Sequence, residues 1–156
     1  MEEVKYTQED CIKDTQKHIE QVQEFMLTAA QVILMKSEVH DVSKLKSPEL
    51  EIFTEYTPKL KYSTYGSDEY KSYLKEMKVA LDHHYANNNH HPEFHTKGIR
   101  GMNLLDIIEM FCDWKAATMR HDDGDIRKSI KINQERFGYS DDLKDILMNT
   151  VELFEQ

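Results

Sequence analysis

The sequence predicts an all-α protein, a single-domain helical bundle of about six helices. Its 156 residues include only five glycines and three prolines, so long stretches contain no residue that breaks a helix. In those stretches apolar residues recur every three or four positions, the spacing of one face of an α-helix. A chain of this length is expected to form one domain, residues 1–156, with a hydrophobic core of its own.

Charge and cysteine content argue against several functional classes. The formal net charge of −9 is unfavourable for a broad surface that binds extended nucleic acid or anionic membrane. Cys11 and Cys112 form no spacing motif and are expected to be reduced core residues of a cytoplasmic protein. No apolar signal region opens the chain, and no stretch is long enough to span a membrane. A small anionic substrate stays compatible with this charge, because a bound dication inverts the local field.

The first helix is expected from about Thr7, with His18 in the middle of its apolar face. That face consists of Cys11, Ile12, Thr15, Ile19, Val22, Phe25, Met26 and Ala29. The segment leads to His40-Asp41, an imidazole beside a carboxylate, and both groups bind divalent transition metals. In one straight helix, the 22 residues from His18 to His40 would span roughly 33 Å. A metal shared by both would therefore require the chain to reverse around residues 28–31.

A second helix is expected to begin at Ser47-Pro48-Glu49 and to end near Thr57-Pro58. Its start has a serine cap, a proline at the first position and an acid in the first turn. Residues 58–67 are expected to form a loop. A third helix is then expected from Ser67 to about Tyr85, because Ser67 is followed directly by two acidic residues.

Five histidines occur within 13 residues at the end of the third helix and in the segment after it. The apolar face of the helix continues to His84, so His84 is expected to point inward and His83 to lie at the edge. The irregular segment 87–101 follows. It is either a solvated polar loop or a binding loop, and functional groups favour loops held on rigid elements. In the second case His90 or His91 supplies a ligand, and the residues do not choose between them.

The helix from about Asn103 to Arg120 is apolar nearly all round, which predicts that it is buried. Its one polar strip consists of Asp106, Glu109, Asp113 and Arg120. On so apolar a helix, this strip is expected to face a polar cavity. Asp113 is then a natural last metal ligand, and Glu109 lies one turn away from it.

The rest of the chain is expected to be structural. The segment from His121 to Asp125 has the composition of a surface turn, despite its ligand-like residues. Two packing helices are expected after it, over residues 125–137 and 140–154, with Gly138 ending the first.

The order of the candidate ligands resembles the His…His-Asp…Asp signature of the HD superfamily of metal-dependent phosphohydrolases. Here the signature is formed by His18, His40-Asp41 and Asp113. His40-Asp41-Val42-Ser43-Lys44 is similar to the frequent His-Asp-aliphatic-Gly-Lys form, with Ser43 in place of Gly. The similarity is closer to a small HD-like family common in phages and bacteria, with further matches at His84, Asn88, His90-His91, Glu109-Met110 and Asp113-Trp114. The resemblance runs from about His18 to Ala117.

This resemblance implies an HD-like helical fold and a phosphohydrolase that acts on a nucleotide or similar small phosphomonoester. The implied metal ligands are His18, His40, Asp41, His84, His91 and Asp113. They would hold one or two divalent ions of Mn, Fe, Co, Zn or Mg. The implied catalytic residues are Asp41, Lys44 and Glu109, and Lys44 would contact a phosphate oxygen as a point charge.

Two alternatives use the same residues. The first is a metal-stabilised helical binding protein without turnover, and the second is an HD-type di-iron oxygenase. Iron content and oxygen dependence separate the second from a phosphohydrolase. The expected partner is a small phosphorylated substrate, with no extended nucleic acid and no membrane. The expected location is the cytoplasm, or the host cytoplasm if a phage encodes the chain, and the oligomeric state is left open.

Overall fold

The computed structural model describes residues 6–64, 67–120 and 124–155, and this part of the chain contains helices and no strand. The α-helices are α1 (Gln8–Val39), α2 (Glu49–Tyr62), α3 (Asp68–Glu76), α4 (Lys78–Asn87), α5 (Leu104–Thr118), α6 (Ile126–Phe137) and α7 (Asp141–Val151). Short 3-10 turns lie at Val42–Leu45, Pro92–Phe94, Gly98–Gly101 and Glu152–Phe154. The all-α prediction is confirmed.

The chain divides into two compact units, one up to Glu38 and the other from Val39 onward. The first unit is a continuous helix, in which none of the 32 residues of α1 is buried. The reversal that a metal shared by His18 and His40 would require around residues 28–31 is absent, because no glycine or proline interrupts α1 there and the helix continues. From His18 to Glu38 this helix rises by about 30 Å.

The core of the second unit is formed by α5, α6, α7 and the residues between them. Its buried members are Met110, Phe111, Trp114, Ile126, Ile130, Tyr139, Leu147 and Val151. The ring of Trp114 stacks near Phe137 and Tyr139, and the Tyr139 hydroxyl donates to the carbonyl of Ile130. This packing holds α5 in place.

The last three helices begin near the predicted residues, and local capping chemistry explains their ends. Asn103 and Asp106 form a capping box at the start of α5. Asp125 accepts from two backbone amides at the start of α6, and Ser140 accepts from one at the start of α7. Gly138 ends α6 at φ 63°, a left-handed conformation that glycine adopts without a steric penalty.

Two predicted helix boundaries are corrected. The second helix does not end near Thr57 but continues through the exposed Pro58 to Tyr62, although a proline at this position removes one backbone hydrogen bond and crowds the carbonyl four residues before it. The single helix expected over residues 67–85 is two helices, α3 and α4, separated at the buried Met77, whose ψ of 0° departs from helical geometry.

The helix α5 is not buried all round, because Leu104 and Ile108 are exposed on it. Cys11 and Cys112 are free, as expected, but both are exposed instead of lying in the core. The segment predicted as a turn begins with His121, Asp122 and Asp123, which lie outside the described residues. None of the described helices combines the length and the apolarity needed to span a membrane.

Candidate metal centre

Ligand-type side chains from four parts of the second unit converge on one place. They come from the segment after α1, the end of α4, the segment after α4, and the inner strip of α5. Three overlapping groups have ligand atoms within 4.8 Å of one another: Asp41, His84, His90 and His91; His40, Asp41 and Asp113; and His40, His90 and Glu109. Each group could hold a metal ion.

Asp41 stands where the chain leaves α1 and enters the 3-10 turn Val42–Leu45. Its backbone has φ 56° and ψ 14°, the left-handed conformation that aspartate tolerates better than most residues. Its side chain belongs to two of the three groups. Asp41 is therefore shared by the four-residue group and the group of His40, Asp41 and Asp113.

The four-residue group has the spacing of ligands around a common ion. His84 Nε2 lies 2.8 Å from His91 Nε2, which is also a hydrogen-bond length, and 3.4 Å from Asp41 Oδ1. His90 Nε2 lies 3.5 Å from the same Asp41 oxygen. Ligand atoms at about 2.1 Å from one ion stand about 3.4 Å apart in a tetrahedral site and about 3.0 Å apart in an octahedral one. The observed separations span these values.

Two buried polar atoms of this group support the same interpretation. Among the described residues, Asp41 Oδ1 and His90 Nε2 have no hydrogen-bond partner although both are inaccessible to solvent. Buried polar atoms without a partner are rare in proteins and call for an explanation such as an ion. Because these two atoms point toward each other and toward His84 Nε2, a cation among them would satisfy both.

The second oxygen of Asp41 faces a different group. His40 Nε2 lies 3.5 Å from Asp41 Oδ2 and 3.8 Å from Asp113 Oδ1. The two oxygens of one carboxylate therefore reach two sets of ligands. Lys44 Nζ also donates to Asp41 Oδ2, at 2.6 Å, and lies 5.5 Å from the centre of the Phe53 ring.

The group of His40, His90 and Glu109 is better explained by hydrogen bonds than by a metal. Nδ1 of His40 and Nδ1 of His90 lie 2.9 Å and 3.1 Å from Glu109 Oε1. A carboxylate only accepts, so His40 donates from Nδ1, and His90 Nδ1 is placed to do the same; the neutral form of each ring keeps a lone pair on Nε2. Glu109 thereby turns the Nε2 atoms of both rings toward the ligand groups, as carboxylates beside metal-binding histidines do.

Burial keeps three histidines of the four-residue group neutral. Burial lowers the pKa of His84 and of His90. It lowers the pKa of His91 to about 3, with a further contribution from the neighbouring His90 and His84. At neutral pH these rings therefore carry the free lone pairs that ligation requires.

Acidic neighbours have the opposite effect on His40. Its pKa is raised to about 9, first by Asp113, whose oxygen at 3.8 Å is an ion-pair rather than a hydrogen-bond partner, and then by Glu109. Burial would raise the pKa of Asp113, but the interactions with His40 and Lys44 outweigh burial and lower it to about 2. The pKa of Asp41 is also lowered, because the contact with Lys44 outweighs burial. A metal at the His40 group would therefore have to displace a proton.

Most of the residues predicted from the sequence lie together in this centre. His40, Asp41, His84, His91 and Asp113 all belong to its ligand groups. The predicted catalytic residues contact these ligand groups. Glu109 lies within 3.1 Å of ring nitrogens of His40 and His90, and Lys44 donates to Asp41. His84 is buried and the side chain of His83 is 39% exposed, as the helical face predicted.

The structure adds two residues and leaves one of the predicted residues outside the groups. The sequence left open whether His90 or His91 is a ligand, and the structure places both of them in the centre. Glu49, interpreted from the sequence as a helix-start acid, is buried against His84, and only the packing of α2 on α4 could have revealed this. His18 is an exposed residue of α1 in the other unit and belongs to none of the three groups, and the reversal that its ligand role required is absent.

Comparison with known proteins identifies the family of the chain but assigns no function to it. A search of curated proteins finds no match, and a search of solved structures finds none either. A family model matches residues 7–153, nearly the whole chain. The chain belongs to this family, which is described as a family of unknown function (DUF5662).

Proposed function

We propose that the protein is a metal-dependent phosphohydrolase of HD type, which acts on a nucleotide or a similar small phosphomonoester. The observation that carries the proposal is the position of Asp41, whose two carboxylate oxygens face two separate groups of ligand-type residues. A shared carboxylate of this kind is suited to two cations a short distance apart, the arrangement used in many phosphate-cleaving enzymes.

The donor set favours a transition metal. Asp41, His84, His90 and His91 would hold one ion, and His40, Asp41 and Asp113 would hold a second where two are bound. Imidazole nitrogens combined with carboxylate oxygens suit Zn, Mn, Fe or Co better than Mg, which prefers an all-oxygen shell. A bound ion of this class supplies a hydroxide near neutral pH and neutralises charge on a phosphate.

Glu109 and Lys44 have distinct tasks in this proposal. Glu109 accepts from His40 and lies 3.1 Å from His90 Nδ1, so it would hold both rings in the orientation that ligation needs. Lys44 Nζ lies 2.6 Å from Asp41 Oδ2, and the lysine side chain is 30% exposed. A cation at Asp41 would repel this ammonium, which then becomes available to a phosphate oxygen.

An open surface recess adjoins the centre and could receive part of a small organic substrate. It has a volume of about 540 Å³ and is lined by Asp82, Tyr85, Ala86, Glu93 and Phe94. The Tyr85 ring lies 5.0 Å from the ring of His91, so the recess adjoins one of the proposed ligands. Its two aromatic side chains offer a flat apolar surface for the part of the substrate beyond the phosphate.

The test combines metal analysis with a substrate panel. Protein purified without added metal is analysed for bound ions, and nucleotides and other phosphomonoesters are then assayed with Mn, Mg, Co and Fe. The proposal expects bound transition metal and release of inorganic phosphate from a panel member. Bound metal without any turnover would favour a non-catalytic binding protein, and oxygen-dependent turnover with iron would favour an oxygenase. A protein that binds no metal contradicts the proposal outright.

A further inference from the structure

Glu49 is a fully buried acid at the start of α2, and every described contact of its carboxylate is with a residue near the metal centre. Its exposed fraction is 0%. Burying a carboxylate costs several kcal/mol of folding free energy unless hydrogen bonds compensate for the lost water. The compensation comes from His83 Nδ1 at 2.6 Å, His84 Nδ1 at 2.9 Å and the Ser43 hydroxyl at 3.1 Å.

The two histidines share Glu49 because they are consecutive on α4. Oε1 of Glu49 accepts from His83 and Oε2 accepts from His84, so one carboxylate separates two neighbouring rings. Since the carboxylate only accepts, His84 donates from Nδ1 and presents the lone pair of Nε2 to the ligand group. His83 belongs to no ligand group among the described residues, and its contact is with Glu49.

Ser43 and Asn88 connect this acid to both sides of the centre. The Ser43 hydroxyl, on the 3-10 turn directly after Asp41, donates to Glu49 and accepts from Asn88 Nδ2 at 2.9 Å. The same amide group of Asn88 donates to the carbonyl of His84 at 2.8 Å. The network therefore joins the turn that carries Asp41 to the helix that carries His84.

We propose that Glu49 is the positioning residue of the metal centre: it fixes the tautomer and orientation of His84 and, through Ser43, sets His84 relative to Asp41. It would not ligate the metal, and its loss would remove no ligand from the chain but would leave His84 less well oriented. This inference rests on the metal centre of the proposed function, but it does not depend on the reaction or the substrate. It also gives Ser43 a task that a glycine at the same position could not perform, because glycine has no hydroxyl.

The test measures metal affinity, not turnover. Glu49→Gln keeps the size of the side chain but replaces one acceptor oxygen with a donor, so one of the two histidines loses its acceptor. Glu51→Gln is the matched control, an exposed acid in the same helical turn of α2. Dissociation constants for Zn and Co are measured by chelator competition, and the Co-bound protein also gives an absorption spectrum that reports the geometry of its ligands.

We expect Glu49→Gln to weaken metal binding roughly 10- to 100-fold and to change the Co spectrum, the effect typical of losing a carboxylate behind a metal-binding histidine. Glu51→Gln is expected to match the unmodified protein in both measurements. Ser43→Ala removes one donor to Glu49 and the acceptor of Asn88 but leaves both histidine contacts of Glu49, so it is expected to weaken binding by a smaller factor. If circular dichroism shows that Glu49→Gln does not fold, the metal affinity of Ser43→Ala tests the positioning role instead.

The outcomes separate this inference from the proposed function. If the unmodified protein binds neither Zn nor Co, the metal centre itself is refuted. If it binds metal and Glu49→Gln binds with the same affinity and spectrum, only the positioning role is overturned. Where Glu49→Gln does not fold, unchanged binding in Ser43→Ala overturns it. His83→Gln adds a further check, because the inference predicts retained metal there, whereas a ligand role for His83 predicts loss.

Discussion

Asp41 has different partners on the two oxygens of its carboxylate. Oδ1 is close to His84 and His90 and lacks a hydrogen-bond partner among the described residues, whereas Oδ2 accepts from Lys44 and lies near His40. Lys44 thus compensates the negative charge of Asp41. A cation bound at Asp41 would repel this ammonium, and that repulsion is the basis of the role proposed for Lys44.

Replacing Lys44 with methionine tests that role. Lys44→Met keeps a long side chain over Phe53 but removes the charge, so it should raise KM or lower kcat for a phosphomonoester while the metal content stays the same. Lys46→Met, an exposed lysine two residues away, is the matched control and should change neither. Wild-type kinetics in Lys44→Met would exclude a phosphate contact.

The shifted pKa of His40 predicts how the stability of metal-free protein depends on pH. Its folded-state pKa of about 9 lies above the ordinary histidine value of 6.5. Folded protein therefore binds more protons than unfolded protein between these values, and the contribution to stability is lost as pH rises from 6.5 through 9.

Urea titrations of chelator-treated protein across this pH range measure the effect, and His40→Gln should flatten it. His91, with a pKa lowered to about 3, has the opposite sign: stability should fall as pH decreases from 6.5 toward 3. A stability that rises between neutral pH and pH 9 in the unmodified protein, and falls over the same range in His40→Gln, would contradict the assignment for His40.

Individual residues were predictable where the chemistry was local. His40-Asp41 was recognisable as a dipeptide, His84 from its helical face, and Asp113 from its place on the polar strip of α5. His90 and His91 could not be separated, because they lie in an irregular segment where no periodicity assigns a direction. Glu49 could not be predicted at all, since its burial depends on how α2 packs against α4.

At the level of elements, α5 connects the core to the candidate site. Its polar strip carries Glu109 and Asp113 into the centre, and other faces of the same helix pack into the core through Met110, Phe111 and Trp114. Ligand geometry therefore depends on how firmly α6 and α7 hold α5. An enzyme site mounted on a packed helix is more precise than one on a loop.

Truncating Ile130 tests the contribution of this core. Its exposed fraction is 0%, so Ile130→Ala should lower the free energy of unfolding by about 2–5 kcal/mol, through lost burial and the cavity left behind. Ile146→Ala, on α7 but 59% exposed, should cost far less. Urea denaturation of both variants measures the difference, and equal losses would contradict the described core.

Helix boundaries were predictable where a side chain caps the end. Ser67, Asn103, Asp125 and Ser140 were all expected as helix starts, and each accepts from the backbone of the first turn. The separation of α3 from α4 at Met77 has no glycine, proline or capping residue to announce it. The boundary depends on tertiary packing around a buried methionine, which local sequence does not encode.

At the scale of the whole molecule, the chain has two units, and the centre lies in the one that begins at Val39. The expected first ligand, His18, is on the other, where α1 continues without a reversal. The sequence interpretation required a turn that no residue of that stretch encodes, because it followed the resemblance instead of the helical pattern.

His18→Ala therefore has a defined expectation. Since His18 belongs to none of the ligand groups, the variant should keep the metal content of the unmodified protein. Elemental analysis of both proteins, purified in parallel, is the measurement. A clear loss of metal in His18→Ala would restore His18 as a ligand and would contradict the set of ligands proposed from the second unit alone.

The central claim is that His and Asp side chains of the second unit bind a metal, with Asp41 shared between the groups. Metal per chain is measured in the unmodified protein, in Asp41→Ala and in Asp82→Ala, an exposed acid paired with Lys78 on α4. We predict one or two transition-metal ions per chain in the unmodified protein and in Asp82→Ala, and almost none in folded Asp41→Ala, because both groups lose a ligand. The same metal content in Asp41→Ala as in the unmodified protein would contradict the account.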